Sequence, residues 1–223
     1  MRLVQGKYDS AYTFAESAAD TAKAFEAMGA TWLHMVDLDG AKEAVPVNTD
    51  MIFDVLKQCN LKVELGGGIR NMETIDYYMD HGISRIILGS AALNNPALVK
   101  EAVAKYGDKI AVGIDAIDGN VAAEGWTQTS TVNYIDLAKH MEDAGVKYIV
   151  FTDISRDGMM DGPNFTMLDK LNRSVSCKVI ASGGVSSLTD IVVLTALKLH
   201  GAICGRALYT RDLSLRQAVD LCK

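Results

Sequence analysis

The sequence predicts an α/β fold, a TIM (β/α)₈-type barrel built from two half-barrel repeats in one domain over residues 1–223. Three observations support this prediction. Short β-rich apolar runs alternate with amphipathic segments, which is the pattern of βα units in a parallel sheet. The length suits a single barrel. The second half of the chain also repeats the first.

The apolar runs and amphipathic segments give the element order. The candidate strands are seven apolar runs, at 32–37, 61–66, 85–89, 110–115, 147–153, 177–182 and 201–205. The candidate helices are eight segments, at 15–29, 48–59, 72–82, 95–106, 132–144, 164–173, 187–199 and 212–222. Two helices carry clear start signals. Asn95 with Pro96 suits an N-cap and first helical position, and Ser187 with Asp190 resembles a capping box.

The internal repeat appears when the chain is shifted by 116 residues without a gap. FEAMGATWLHMVD (25–37) then falls on MEDAGVKYIVFTD (141–153), GGGIRN (66–71) on SGGVSS (182–187) and ILGSAAL (87–93) on ICGRALY (203–209). We therefore expect half-repeats at about 1–109 and 110–223.

The first strand of the second half has no counterpart in the first half. The segment 15–29 lacks a strand before it, because residues 2–5 are too short and too polar to be a buried strand alone. The ungapped mate of 110–116 ends at or before residue 1. We expect the N-terminal barrel strand to be missing from this sequence. We also expect the edges of the neighbouring strands to be left open. With a complete barrel we expect a monomer, whereas open strand edges allow copies of the chain to associate.

Composition and charge exclude several classes of function. The formal net charge is −6 and no run is rich in lysine or arginine, so we expect neither nucleic acid nor an anionic membrane as partner. No segment has the length of a membrane span or the apolar core of a signal peptide. Cys59, Cys177, Cys204 and Cys222 are widely spaced. We expect a cytoplasmic protein with no disulfide, no metal site and no cofactor.

Glycine clusters follow four of the candidate strands. Glycine lets backbone N–H groups approach an anion closely. One candidate phosphate cradle comprises Gly67, Gly68, Gly89 and Ser90, and its repeat mate comprises Gly183, Gly184, Gly205 and Arg206. A single cluster is equally well explained as a tight βα turn. Four clusters in twofold register favour a small-molecule ligand that carries phosphate at both ends.

Polar residues between the cradles are candidates for chemistry. Asp115 ends an apolar strand, where a carboxylate is costly to desolvate, so it is a candidate general acid or base. Its alternative role is to cap the turn that follows. Thr152 stands at the position that Val36 occupies in the first half, so a hydroxyl replaces an apolar group. This hydroxyl has a functional role, or the threonine is there only as a β-branched residue that suits a strand. Trp126 either stacks on a planar ring or packs under its own loop. The four histidines do not cluster at strand ends, so we expect no histidine-based nucleophilic or metal catalysis.

The motifs together resemble a known family. HMVDLDGAKEAVPVN, VELGGGIRN, VGIDAIDGNVAAEGW, FTDISRDGMMDGPN, VIASGGVSS and GRALY are similar to those of the phosphoribosyl isomerases of histidine biosynthesis. The resemblance covers nearly the whole chain. It implies a duplicated half-barrel and an Amadori aldose–ketose isomerisation of N-(5′-phosphoribosylformimino)-5-aminoimidazole-4-carboxamide ribonucleotide.

The resemblance also implies residue roles. Asp115 corresponds to the acid that opens the ribose ring, with Thr152 assisting, and Arg70, Trp126 and Asp157 contact the substrate. The general base of the family is an aspartate that ends the first strand. That stretch has no counterpart here, so we expect impaired turnover.

Three alternatives remain open. The homologous cyclase subunit of imidazole-glycerol-phosphate synthase has the same duplicated barrel, and copurification with a glutaminase would favour it. A bifunctional isomerase that also serves tryptophan synthesis would turn over phosphoribosylanthranilate. A degenerate barrel would bind the bisphosphate without turnover.

Overall fold

The computed structural model describes residues 2–4, 7–12, 15–123, 126 and 128–223. Its strands are β1 (Arg2–Val4), β2 (Lys7–Tyr12), β3 (Trp32–Val36), β4 (Lys62–Gly66), β5 (Arg85–Leu88), β6 (Ile110–Ile117), β7 (Asn120–Ala123), β8 (Gln128–Asn133), β9 (Tyr148–Asp153), β10 (Lys178–Ser182) and β11 (Gly201–Ala202). Its helices are α1 (Ala18–Ala27), α2 (Leu38–Glu43), α3 (Thr49–Gln58), α4 (Met72–Asp80), α5 (Ser90–Asn94), α6 (Pro96–Tyr106), α7 (Tyr134–Asp143), α8 (Phe165–Ser174), α9 (Leu188–Ala196), α10 (Arg206–Thr210) and α11 (Leu215–Leu221).

The predicted α/β class is confirmed. Seven strands lie in one parallel sheet in the order β11-β10-β9-β6-β5-β4-β3, and β7 and β8 extend it as an antiparallel excursion. Because every strand in that order runs in the same direction, their carboxyl ends share one edge. The structure thus gathers the residues that follow each strand along a single carboxyl edge.

The sheet is curled, and its two faces pack differently. The face toward the helices belongs to a large apolar cluster that contains buried strand residues such as Val63, Ile86 and Ile149. A small cluster on the concave face comprises Ile87, Ala111, Tyr148, Val150 and Ile180. Residues at alternate positions of a strand therefore enter either the helix-facing core or the concave interior.

All seven predicted parallel strands and all eight predicted helices are present, with small shifts at their ends. The last strand is shorter than predicted, 201–202 instead of 201–205. The capping box of Ser187 and Asp190 forms at the start of α9, and Asn95 caps α6 ahead of Pro96. These local signals were readable because each depends on residues that are close in sequence.

Sequence patterns missed several short elements. Residues 2–4 pair antiparallel with β2 in a separate two-stranded sheet. The segment read as a polar loop around Trp126 is flanked by the paired strands β7 and β8. The short helices α2, α5 and α10 were also unpredicted. Their five or six residues are too few to display a helical period. In the described part of the chain, no helix combines the length and apolarity needed to cross a bilayer.

Candidate active site

Three neighbouring strands bring Asp115, Thr152 and Ser182 side by side at the carboxyl edge. Asp115 on β6 lies opposite Thr152 on β9, and Thr152 lies opposite Ser182 on β10. Residues that are opposite one another in a parallel sheet project to the same face. All three side chains therefore belong to the concave side, where a ligand at the open edge can reach them.

The carboxylate of Asp115 is held by two side-chain donors. The indole Nε1 of Trp126 donates a 2.7 Å hydrogen bond to Asp115 Oδ2, and the Thr152 hydroxyl donates another to the same carboxyl group. Asp115 and Trp126 are both half-buried. Thr152 is 5% exposed. The three residues that the sequence singled out for chemistry thus form one contiguous group.

The environment of Asp115 favours its protonated form. Burial raises the pKa of this carboxyl above its usual value, because removal of water penalises the charged form. The hydrogen bonds from Trp126 and Thr152 and the charge of His34 oppose this effect without cancelling it. A carboxyl group that keeps its proton to higher pH, yet can ionise with the help of donors, has the properties of a general acid.

The glycine turn after β10 and the segment after β11 line a common pocket with the loop after β9. Gly183 and Gly184 both have positive φ, and a Cβ on Gly184 would lie 2.5 Å from the carbonyl oxygen of Gly162. The pocket is lined by Asp157, Gly158, Met160, Ser182, Gly183, Gly184, Val185, Ile203, Gly205 and Arg206. Every residue of the second predicted cradle, together with Asp157, therefore meets at one place.

Arg206 links two sides of this pocket by a hydrogen bond. Its guanidinium Nη1 donates a 2.7 Å hydrogen bond to the carbonyl oxygen of Gly158, although the side chain is exposed overall. Asp157 in the same loop is 9% exposed. An exposed guanidinium beside glycine turns offers several N–H donors in a planar arrangement that suits a phosphate group.

The first glycine turn packs against the loop after β3. A Cβ on Gly67 would lie 2.3 Å from the carbonyl oxygen of Asp37, and one on Gly68 would lie 2.0 Å from that of Gly40. Packing therefore suffices to explain glycine at both positions, without any role in ligand binding. At Gly89, by contrast, a Cβ would meet nothing within 4 Å, so space beside this residue, which precedes Ser90 of α5, is open to a ligand.

Arg70 lies at the outer side of the first turn. It is exposed, and its Nη2 donates a 3.2 Å hydrogen bond to the carbonyl oxygen of Ala41. Arg70 and Arg206 thus each donate a hydrogen bond to the segment after an earlier strand, which is β3 for Arg70 and β9 for Arg206. The two arginines occupy different positions in their own turns. Arg70 is not among the residues that line the pocket around Gly183.

Two aspartates at strand ends have structural partners. Asp37 accepts hydrogen bonds from the backbone of Gly40, Val47 and Asn48 and from the Asn48 side chain. These bonds outweigh burial, which is the largest single influence, and hold the pKa of Asp37 below its usual value. Asp153 accepts a 2.7 Å bond from Asn164 in the same way. Both carboxylates brace loops.

Sequence reasoning missed an ionic group on the concave face. His34 Nδ1 lies 3.0 Å from Glu64 Oε1, and Arg85 Nη1 lies 3.1 Å from Glu64 Oε2. His34 lies inside β3, two residues before the end of that strand. The available signal was the occurrence of charged residues within apolar strands, since such groups are buried only when paired.

A curled parallel sheet with an acidic group and glycine turns along its carboxyl edge defines an α/β enzyme with its site at that edge. The family model described as histidine biosynthesis protein matches residues 1–214. The chain belongs to this family.

Individual relatives carry one name. The chain is 51% identical over 221 residues to the 1-(5-phosphoribosyl)-5-((5-phosphoribosylamino)methylideneamino) imidazole-4-carboxamide isomerase of Clostridium novyi (strain NT), with 99% of this chain and 93% of that protein covered. It is 49% identical over 221 residues to the isomerase of the same name from Clostridium botulinum (strain Kyoto / Type A2), with 99% and 91% covered. It is 47% identical over 223 residues to that from Clostridium beijerinckii (strain ATCC 51743 / NCIMB 8052), with 100% and 93% covered. These names agree with the predicted resemblance and do not favour the cyclase alternative.

Proposed function

We propose that this chain is the intramolecular aldose–ketose isomerase of histidine biosynthesis, acting on the bisphosphorylated imidazole carboxamide ribonucleotide. The observation that carries the proposal is the state of Asp115. This carboxyl group lies at the carboxyl edge, has a raised pKa and is bonded by Trp126 and Thr152. The substrate is inferred from the names of relatives at 51% and 49% identity.

The isomerisation begins with a proton transfer that Asp115 can perform. Opening of the ribose ring breaks the bond between C1 and the ring oxygen, and the electron pair of that bond goes to the oxygen. The lone pair of the nitrogen attached to C1 forms a C=N bond and so replaces the bond that C1 loses. The oxygen takes the proton from the carboxyl group, which becomes a carboxylate. The N–H of Trp126 and the hydroxyl of Thr152 stabilise the new charge, because hydrogen bonds to ionised groups are about twice as strong as neutral ones.

A second transfer moves the proton from C2 of the opened sugar and needs a base. We assign the acid step alone to a residue of the described chain. A positioned acid or base contributes roughly 10²–10⁴-fold to such a reaction. Loss of Asp115 as acid is therefore expected to abolish most of the turnover.

Phosphate binding is proposed at the two glycine sites. The pocket that contains Gly183, Gly184, Gly205 and Arg206 supports one of them, since it joins backbone turns with an exposed guanidinium. Open space beside Gly89, with Ser90 next to it, supports the other, for which Gly67 and Gly68 shape the adjacent turn. In this proposal Arg70, Trp126 and Asp157 contact the part of the substrate between the phosphates.

The proposed architecture is a (β/α)₈-type barrel made of two equivalent halves. Matching hydrogen bonds support it. Asn48 bonds to Asp37 at 2.7 Å, and Asn164 bonds to Asp153 at 2.7 Å, each pair separated by 116 residues from the other. The loops after β3 and β9 are thus braced by the same pair of side chains.

The decisive experiment compares Asp115→Asn with Asp118→Asn. Purified protein is incubated with the bisphosphate substrate, and the ketose product is quantified while binding is measured by calorimetry. Asp118 is exposed in the turn between β6 and β7 and serves as the matched control. We expect Asp115→Asn to lose at least about a hundredfold in turnover with binding retained, and Asp118→Asn to match the parent.

Two outcomes contradict the proposal. Turnover that is unaffected by Asp115→Asn removes Asp115 from the reaction. Tight binding of the bisphosphate by the parent without any product under conditions in which a related isomerase is active would favour the binding protein instead.

A further inference from the structure

The loop that follows β9 forms one wall of the pocket around Gly183. It comprises residues 154–163 and is called the β9 loop below. Three of its residues, Asp157, Gly158 and Met160, line the pocket together with the glycine turn after β10 and Arg206. The position of this loop therefore shapes the space in which we place a phosphate.

The base of the β9 loop is closed by the two residues that flank it, Asp153 and Asn164. Asn164 Nδ2 donates a 2.7 Å hydrogen bond to Asp153 Oδ2, and Asn164 Oδ1 accepts one of 3.1 Å from the backbone N–H of Met167, which caps α8. Asp153 Oδ1 accepts from the backbone and the hydroxyl of Ser155 at 3.0 and 2.7 Å. Asp153 is 5% exposed. A carboxylate buried to this extent needs its donors, so it ties both ends of the loop together.

The glycine turn of the pocket fits between two parts of the β9 loop. The backbone N–H of Gly162 donates a 3.1 Å hydrogen bond to the carbonyl oxygen of Gly184. A Cβ on Gly183 would lie 3.3 Å from the carbonyl oxygen of Asp153 and 3.6 Å from the Cα of Asp157. A displacement of the loop therefore breaks contacts with the turn that forms the opposite wall.

Arg206 connects the β9 loop with the space for a phosphate. Its Nη1 donates the 2.7 Å hydrogen bond to the carbonyl oxygen of Gly158. A guanidinium has several N–H donors in one plane, so a single group can serve this carbonyl and an anion at the same time. Because Gly158 orients the guanidinium, the position of the loop decides where the other donors point. An oriented donor loses less freedom when the anion binds.

The first half of the chain contains the same closure in a different setting. The loop after β3 has the same length, and Asn48 closes it with a 2.7 Å hydrogen bond to Asp37. That loop forms the helix α2, and the arginine that bonds to it is Arg70, which does not line the pocket around Gly183. The repeat thus supplies a matched control, in which the same bond closes a loop without this link to Arg206.

We propose that Asn164 is a positioning residue for phosphate binding, which closes the β9 loop on Asp153 so that the carbonyl of Gly158 orients Arg206. Loop closure and phosphate binding then favour each other by the same factor, because coupling between two equilibria is reciprocal. The phosphate step rests on the proposed function, since it needs an anion in this pocket. The hold of Asn164 on the loop rests on the hydrogen bonds alone.

Trypsin measures the hold on the loop without any ligand. Arg156 in the β9 loop and Lys42 in the first loop are both exposed, and cleavage after either residue requires local opening of its loop. Asn164→Ser keeps a good helix cap but replaces the amide that reaches Asp153, and Asn48→Ser is its matched control. We expect Asn164→Ser to speed cleavage after Arg156 roughly tenfold, and Asn48→Ser to speed cleavage after Lys42 instead. Equal rates after Arg156 in the parent and Asn164→Ser overturn the proposal.

Inorganic phosphate is the probe for the coupling to Arg206. Calorimetry compares the parent, Arg206→Ala, Asn164→Ser and the double variant, and the same cycle is run with Asn48→Ser. We expect Arg206→Ala to weaken phosphate binding about tenfold in the parent, and by a factor at least about threefold smaller in Asn164→Ser. In Asn48→Ser the loss caused by Arg206→Ala is expected to keep its parental size. A merely structural role of Asn164 gives additive effects, so equal losses in the parent and Asn164→Ser overturn the coupling.

Reciprocity gives a readout in the parent protein without a substitution. Phosphate is expected to slow cleavage after Arg156 in the parent but not in Arg206→Ala. Cleavage that is unchanged or faster in a parent that has bound phosphate contradicts the coupling.

Exchange of the two flanking residues tests the hydrogen bond itself. The double variant Asp153→Asn with Asn164→Asp restores one donor and one acceptor in reversed order, and we expect it to recover slow cleavage after Arg156. A folded exchange variant that is cleaved as fast as Asn164→Ser contradicts the role of this bond. If Arg206→Ala leaves phosphate affinity unchanged in the parent, the phosphate site of the proposed function fails, whereas the cleavage rates still decide whether Asn164 positions the loop.

Discussion

The indole nitrogen of Trp126 donates a hydrogen bond of 2.7 Å to the carboxylate of Asp115, although the two residues belong to different segments of the chain. Asp115 is fixed on β6, while Trp126 lies between β7 and β8 and has a positive φ of 71°. A non-glycine residue in this region of backbone space is uncommon. The hydrogen bond thus couples the unusual backbone conformation of Trp126 to the protonation state of Asp115.

Removal of the indole donor is expected to raise the pKa of Asp115 further. Trp126→Phe keeps an aromatic ring but leaves burial opposed by Thr152 and His34 alone. A hydrogen bond to a charged group contributes about 1.5–3 kcal/mol, and about 1.4 kcal/mol corresponds to one pH unit. We expect the alkaline limb of the kcat profile to move up by about one unit. Tyr77→Phe, on an exposed aromatic residue of α4, serves as control, and a shift of similar size in both variants would refute the assignment.

The raised pKa of Asp115 also predicts a pH-dependent cost in stability. The folded protein binds the proton of Asp115 more tightly than the unfolded chain does, in which the pKa of this carboxyl is near 3.8. This tighter proton binding stabilises the folded protein fully when the pH is below the pKa of Asp115 in the unfolded chain. The stabilisation is lost as the pH rises through the pKa of Asp115 in the folded protein. The amide introduced by Asp115→Asn cannot ionise, so this variant is expected to be more stable than the parent by about 1 kcal/mol at about pH 8, with the advantage shrinking toward about pH 4.

Urea unfolding at several pH values measures this difference. Asp118→Asn changes an exposed carboxyl group and is expected to show no such trend. An Asp115→Asn variant whose advantage grows as the pH falls would mean that the pKa of Asp115 is lowered by folding rather than raised.

The first glycine turn is expected to tolerate no side chain at position 68. Gly68→Ala combines a positive φ of 72° with a Cβ 2.0 Å from a backbone oxygen, whereas Gly82→Ala at a φ of 94° meets no atom within 4 Å. Positive φ alone costs a non-glycine residue about 1–2 kcal/mol. We expect Gly82→Ala to lose about that much in free energy of unfolding and Gly68→Ala clearly more. Equal losses in the two variants would show that the contact with Gly40 is not tight.

Arg206 is expected to contribute to phosphate affinity. Arg206→Ala removes the guanidinium from the pocket, and a charge-assisted hydrogen bond of about 1.4 kcal/mol or more corresponds to at least about a tenfold loss. Arg216→Ala is the matched control, because Arg216 is exposed and also bonds to a backbone carbonyl, that of Ala27, at 3.1 Å. Calorimetry with the bisphosphate at two salt concentrations measures both. Equal affinity in the parent and Arg206→Ala would remove this residue from the binding site.

Much of the fold was readable because each parallel strand is an apolar run set off by polar turns. The segment VKYIVFTD illustrates this, since β9 is buried at all six of its positions. The hairpin of β7 and β8 was missed for the opposite reason. Its second strand, Gln128–Asn133, is polar, and such a segment looks like a loop until its backbone is seen to pair.

The candidate site was readable from the sequence where its residues directly follow a strand. Asp115, Thr152 and the glycine turns are each recognisable from the residues beside them, and the shared carboxyl edge of a parallel sheet brings them near one another. The bond between Trp126 and Asp115 was not predictable, because a loop of unknown path has no defined distance to a strand end.

The sequence by itself determined the α/β class, the order of the parallel strands along the chain and the identity of the acidic residue at the carboxyl edge. These follow from hydrophobic periodicity and local turn chemistry, which depend on neighbours in the chain. Only the tertiary structure decided that Glu64 lies between His34 and Arg85 and that Trp32 and Tyr148 enclose the guanidinium. Such contacts depend on which strands become neighbours and on which face each residue points to, and they form only when the sheet curls and closes these side chains off from water.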